Sequence, residues 1–194
     1  MPQKEFAKQV PNTAILTKAE IIQLFMYFSL NRKPTEFSCI PRSINSRVIR
    51  RCKRFNGCSC FWYYNGGSVD SISFTVDTAV LFRGVRLFGF KGEKYFVKLK
   101  IGGETVIEER FQTEAEEKDG YPGFDIIFEQ RCQLTPGVPC VLEALINGPK
   151  SFCGTSGKEE VVCEKVTFRF IAKNITRNGS TVNQGQFAEI LFTC

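Results

Sequence analysis

Lys94-Tyr95-Phe96-Val97-Lys98-Leu99-Lys100-Ile101 sets an apolar row, Tyr95, Val97, Leu99 and Ile101, against Lys94, Phe96, Lys98 and Lys100. A period of two places one row on each face of a strand, so one face is buried and the other largely wet. Ile72, Phe74 and Val76 alternate in the same way with Ser71, Ser73 and Thr75. Val162, Val166, Phe168 and Phe170 oppose Lys165, Thr167 and Arg169, with Glu164 interrupting the apolar row. Runs at 79–90, 105–111, 124–130, 138–146 and 187–193 also read as strands, divided by Gly, Pro and Asn turns. The pattern predicts an all-β fold, an antiparallel, jelly-roll-like β-sandwich.

Ahead of it the period changes. Ile21, Leu24, Phe25 and Phe28 recur at helical spacing, and Thr17 with Glu20 forms a capping box. Asn31 and Pro34 close this single α-helix. Residues 35–53 have no clean period and read as a basic linker. The sandwich then occupies residues 54–194.

Charge separates the same parts. Residues 1–60 hold eleven Lys and Arg against three Asp and Glu, while residues 61–194 hold fifteen against seventeen. The positive charge therefore belongs to the front of the chain, around Arg42, Arg47, Arg50, Arg51, Lys53 and Arg54. A nucleic-acid binder spreads basic residues over a face with aromatics between them. Here they crowd a connector, which favours a solvated linker over a phosphate-binding or membrane-binding strip. Residues 1–10 are polar, and the apolar run at 21–28 is too short to span a bilayer. Nine Cys, odd in number and irregularly spaced, suit reduced thiols in a cytoplasmic protein.

The chain contains no His, so the commonest general base and zinc ligand is missing. Cys58 and Cys60 lack a second close Cys pair to complete a zinc site. Glu114, Glu116, Glu117 and Asp119 read as a hairpin loop, where they diverge. Gly66-Gly67 and Gly102-Gly103 precede no helix that could cradle a phosphate. The expectation is a protein without catalytic residues, metal or cofactor. A carbohydrate-binding or hydrolytic jelly roll remains as the alternative, because its carboxylate pairs are not identifiable from spacing.

Three loops carry the residues suited to binding. The first holds Trp62, Tyr63, Tyr64, Asn65, Gly66 and Gly67, with Asp70 just beyond. The second runs from Asn147 to Gly157 through Gly148, Pro149, Ser151, Phe152, Gly154 and Thr155. The third holds Asn178, Gly179 and Thr181. Gly and Asn permit tight backbone paths, and aromatics with a polar tip give contact area at low entropic cost. Trp62 reads as a core anchor. The eleven residues of the second loop are long for a turn and mark it as functional.

These residues also compose a resemblance. Trp62-x-Tyr64, Asp70-Ser71-Ile72-Ser73-Phe74, Gly84-Val85-x-Leu87-Phe88-Gly89 and Leu134-x-Pro136-Gly137 resemble the PHR domain family, in order. So do Asn147-Gly148-Pro149, Gly154-Thr155-x-Gly157, Val166-Thr167-Phe168 and the closing Gly185-Gln186-x-x-Glu189-Ile190-Leu191-Phe192. Phe187-Ala188 departs from the family's usual Ile-Pro. Leu16-Thr17-x-x-Glu20-Ile21 through Lys33-Pro34 is similar to the last helix of a BACK domain, which would assign residues 1–34 to its end. The resemblance implies the recognition domain of a cullin-RING ubiquitin ligase adaptor of the BTB-BACK-PHR kind. It would hold a protein or peptide through the sandwich loops. Cullin would be held by BTB and BACK parts absent from this chain.

Overall fold

The computed structural model describes residues 17–30, 48–64, 66–114, 120–171 and 178–194. The chain divides into two units, Met1–Arg42 and Ser43–Cys194. In the first lies helix α1, Lys18–Leu30. Its capping box forms as the sequence requires. The Thr17 amide donates to the Glu20 carboxylate at 2.6 Å, and the Glu20 amide donates back to the Thr17 hydroxyl at 3.3 Å.

The second unit contains twelve strands among its described residues, all paired antiparallel. In chain order they are β1 (Arg50–Lys53), β2 (Phe55–Trp62), β3 (Val69–Val76), β4 (Val80–Phe88), β5 (Lys94–Ile101) and β6 (Glu104–Gln112). There follow β7 (Gly123–Leu134), β8 (Cys140–Asn147), β9 (Ser151–Gly157), β10 (Glu160–Cys163), β11 (Val166–Ile171) and β12 (Phe187–Thr193). Six of them make one sheet in the order β10-β11-β3-β8-β5-β6, and four make another, β1-β12-β4-β7. The remaining β2 and β9 form a separate ribbon.

The apolar rows of the two large sheets meet in one core. Phe74 of β3 lies edge-on to Phe82 of β4 with centroids 6.0 Å apart. Tyr95 of β5 stacks on Phe124 of β7 at 5.6 Å, and Phe168 of β11 meets Phe192 of β12 at 5.0 Å. Each fully buried Phe contributes about 1.5–3 kcal/mol of hydrophobic stabilisation. Tyr95, Val97 and Leu99 point inward as the alternation requires, and outward-facing Lys98 pairs with Glu108 at 2.8 Å. The inner strand β3 departs from the half-wet pattern, because Ser71 and Ser73 are buried as well. Their small hydroxyls permit it: Ser71 donates to the Leu142 carbonyl of the neighbouring strand at 2.9 Å.

Three local expectations need correcting. Residues 50–53, read as the end of a linker, are strand β1, paired with β12 from Arg50↔Phe192 to Lys53↔Glu189. Their charges are used inside the fold. Arg51 pairs with Asp125 of β7 at 2.5 Å and with Glu189 of β12 at 2.9 Å, while Arg86 of β4 pairs with Asp125 at 2.9 Å. Four alternating charges thus cross the four-stranded sheet. Burial works against the Asp125 charge, but the two guanidiniums prevail and hold its carboxyl below the ordinary range.

Second, the segment 162–170 is two strands. Glu164 has φ 56 and turns the chain with Lys165, so that Cys163 faces Val166. The interrupting charge was the turn itself. Third, residues 151–157 of the supposed long loop form β9, which pairs with β2. Both strands are rich in Gly, Ser and Cys, and Gly is tolerated where another backbone or ring comes close. At Gly154 a Cβ would sit 2.0 Å from the ring of Phe55.

Registers fix which ends of the sandwich hold which loops. β1 begins beside the end of β12, at the foot. Residues 63–64 and 66–68, with loops 148–150 and 178–186, lie at the opposite end, where β3 begins, β8 ends and β12 begins.

Candidate functional site

The upper loops rest on polar side chains buried beneath them. Asp70, the second residue of β3, is wholly buried. Its carboxylate accepts from the Ser180 hydroxyl at 2.5 Å and from the Asn178 amide at 3.0 Å. The indole N–H of Trp62 also favours its charge, although that N–H does not reach hydrogen-bond geometry. Burial nevertheless wins and pushes the Asp70 carboxyl up to about 6. Trp62 supports Gly179, whose Cβ, if present, would lie 3.8 Å from the indole.

Beside this group, the Tyr64 hydroxyl bonds the Ser151 hydroxyl at 2.7 Å and donates to the Gln186 side-chain carbonyl at 2.9 Å. Gln186 in turn donates to the Phe152 carbonyl at 2.8 Å. The Tyr95 hydroxyl donates to the Lys150 carbonyl at 3.0 Å and accepts from the Phe90 amide at 2.9 Å. All three loops are therefore tied to one polar layer, and burial raises both tyrosine hydroxyls above their ordinary pKa.

The third loop has a further clamp. Arg54, just after β1, is only 2% exposed. Its guanidinium donates to the carbonyls of Thr181 at 2.7 Å and Val182 at 3.2 Å, and lies 4.2 Å from the ring centre of Phe55. Burial weighs against its charge, and these carbonyls and the ring face offset that cost. Thr181 uses its own hydroxyl to accept from the amides of Asn183 and Gln184.

The sequence-expected site residues thus fall into two groups. Asp70, Ser151 and Gly154 are buried and shape the loops from below. At these three positions it is the packing beneath the loops, and not their outer surface, that the residues form. Tyr64, Phe152, Thr155, Gly157 and Asn178 are half-buried, while Gly66, Gly67, Gly148, Pro149, Gly179 and Thr181 are exposed. Asn65 lies outside the described residues.

Sequence reading missed one exposed aromatic of this end, Phe61. Phe61 has φ 90 at an irregularity in the β2–β9 register, between Cys60 and Trp62. A bulge re-aims a side chain, and here 59% of Phe61 is exposed. Tyr63 is 58% exposed. The Lys150 ammonium stands 4.7 Å from the Phe61 ring centre and 5.9 Å from that of Phe90. Phe90 stacks on Phe152 at 5.5 Å. Phe61, Phe90, Phe152 and Lys150 make a cationic, aromatic rim over the polar layer. The Trp62-Tyr63-Tyr64 run hinted at it, but the bulge that turns Phe61 outward leaves no sequence mark.

A rigid antiparallel sandwich with such a rim belongs to the class of all-β protein-interaction modules. The chain matches the PHR domain over residues 53–193 and belongs to that family. It is 30% identical to BTB/POZ domain-containing protein 6-A of Danio rerio, over 99% of this chain and 36% of that protein. Protein 6 of Xenopus laevis is 31% identical over 99% of this chain and 37% of its own length. Protein 3 of Mus musculus is 28% identical over 99% and 37%. The chain spans little more than a third of the length of these curated relatives.

Proposed function

We propose that the sandwich captures a segment of another protein on its upper rim and works without catalysis. The observation that carries this reading is the exposed Phe61 ring under the Lys150 ammonium, with Phe90 and Phe152 beside it, on loops fixed by buried hydrogen bonds. Aromatic anchors on a rigid base bind with little ordering cost, and the ammonium favours a partner that brings a carboxylate. Gly66, Gly67, Gly148, Pro149, Gly179 and Thr181 complete the exposed surface around it.

In a longer protein built like the relatives, this module is the recognition part of a cytoplasmic cullin-RING ubiquitin ligase adaptor. Residues 1–34 are the end of a BACK domain in that reading, and BTB and BACK parts hold the cullin. Support comes from the family membership and from similarity that continues ahead of residue 53.

Proximity labelling with the wild-type chain and with a Phe61→Ala/Lys150→Glu variant tests the rim. Partners enriched by wild type should be lost from the variant while its melting temperature stays unchanged. Equal partner lists, or binding confined to a glycan array, would refute the proposal.

A further inference from the structure

Cysteines collect on the side of the sandwich where β1 meets β10. β1 is an edge strand of the four-stranded sheet and β10 an edge strand of the six-stranded one, and the two lie against each other. Arg50 of β1 pairs there with Glu164, the turn residue after β10, at 2.5 Å. Cys52 of β1 is wholly buried in the shared core. Cys163, the last residue of β10, is half-buried and packs against that same core. Both are free thiols.

A hydrogen bond fixes how near they are. The Cys163 thiol donates to the main-chain carbonyl of Arg51 at 3.5 Å. That carbonyl belongs to the peptide unit that leads into Cys52. A carbonyl oxygen lies about 2.8 Å from the next Cα, so the Cys163 sulfur is within roughly 6.5 Å of Cα of Cys52. Disulfides join Cα atoms about 4.4–6.8 Å apart, so rotation of the two side chains and a small approach of the two edges suffice. Burial first, and then the neighbouring Cys163, raise the Cys52 thiol above its ordinary pKa. Cys194 is a third half-buried thiol packed on the same core. The Cys163 thiol touches the strand that carries Cys52, which favours Cys52 over Cys194 as its partner.

We propose that Cys52 and Cys163 are a redox pair, oxidised by a small disulfide such as oxidised glutathione to a bond that staples the two sheets together. Cys163, the more exposed, attacks first. Its thiolate takes one sulfur of the small disulfide, giving a mixed disulfide and releasing one small thiolate, which picks up the proton that Cys163 gave. The Cys52 thiolate then attacks the Cys163 sulfur, and the second small thiolate leaves and takes up the Cys52 proton. Two protein thiols and one small disulfide become one protein disulfide and two small thiols. Burial, with Glu164 and Cys194 beside it, holds the Cys163 thiol above its ordinary pKa. Thiolate is therefore scarce, and the pair stays reduced until the small disulfide accumulates. The bond closes a ring of chain that contains Phe61 and Lys150 of the rim, yet it does not depend on what the rim holds.

The test equilibrates the full chain in mixtures of reduced and oxidised glutathione and maps its peptides by mass spectrometry without reduction. A peptide linked through Cys52 and Cys163 should appear as the oxidised share rises and vanish with dithiothreitol. The linked protein should melt roughly 5–15 °C above the reduced one, as expected for a bond closing a ring of about a hundred residues. Cys163→Ser should abolish both the linked peptide and the shift. Cys52→Ala, which keeps the buried site apolar, should strand glutathione on Cys163. Cys194→Ser should behave like wild type. A link from Cys163 to Cys194, no linked peptide at full oxidation, or a melting temperature that linkage leaves unchanged overturns the proposal.

Discussion

The guanidinium of Arg54 donates to the main-chain carbonyl of Thr181 at 2.7 Å, joining two residues 127 positions apart. An arginine that reads as linker charge is therefore the clamp of an upper loop. Arg54→Met keeps the stem and removes the donors, leaving two carbonyls unpaired. The expected loss is roughly 3 kcal/mol in denaturant unfolding. Hydrogen exchange should quicken at residues 178–184 before it does in the sheets.

Asp70 gives the upper loops a dependence on pH. Burial lifts its folded pKa to about 6 from 3.8, so the folded protein holds a proton that the unfolded chain releases. Its contribution is fully present below the unfolded value and is lost as pH rises through about 6. The Asp70→Asn variant should lose this component, and the stability difference between variant and wild type should change by roughly 3 kcal/mol between pH 4 and pH 7. Urea melts at a series of pH values would show it, and parallel curves would contradict it.

Asp125 has the opposite sign. Arg51 and Arg86 hold its folded pKa below the ordinary value, so its contribution is present above that value and fades as pH falls through the depressed one. Asp125→Ala leaves the buried Arg86 without that partner and should cost roughly 3 kcal/mol or more at neutral pH. Thermal unfolding of the variant at neutral pH measures it.

Gly154→Val is expected to act on folding. The first added carbon would lie 2.0 Å from the Phe55 ring. Overpacking of this kind costs roughly 1–3 kcal/mol. The melting temperature should fall along with any partner binding, which separates this change from Phe61→Ala.

Phe61 places function and stability in opposition. Its backbone has φ 90, a conformation that costs a side chain roughly 1–2 kcal/mol and that Gly adopts freely. Phe61→Gly should therefore hold or raise the melting temperature while abolishing capture at the rim. Loss of fold on this substitution would mean that the ring supports the core.

Much of the sandwich was legible because β5 and β8 each bury one row of side chains, and burial of one row writes a period of two into the sequence. β2 and β9 escaped because their pairing depends on small residues beside Phe55, and Gly, Ser and Cys give no period. β1 escaped because its arginines are neutralised by residues far away in sequence, Arg50 by Glu164 and Arg51 by Asp125 and Glu189. The loops were recognised by their Gly and Asn content. Whether a loop residue points up or down was not legible, since it follows from partners such as Ser180 for Asp70 and Gln186 for Tyr64.

The pairing of Arg50 with Phe192 sets the first and last strands of the sandwich side by side at its foot. A tether attached ahead of β1 or after β12 therefore holds the module by its base, like a brush gripped by the handle. Coupled to a sensor chip by either extremity, it would present the aromatic crown to the flowing solution. A permuted version with those two extremities joined and a new opening cut in the crown would keep the sheets and forfeit the grip.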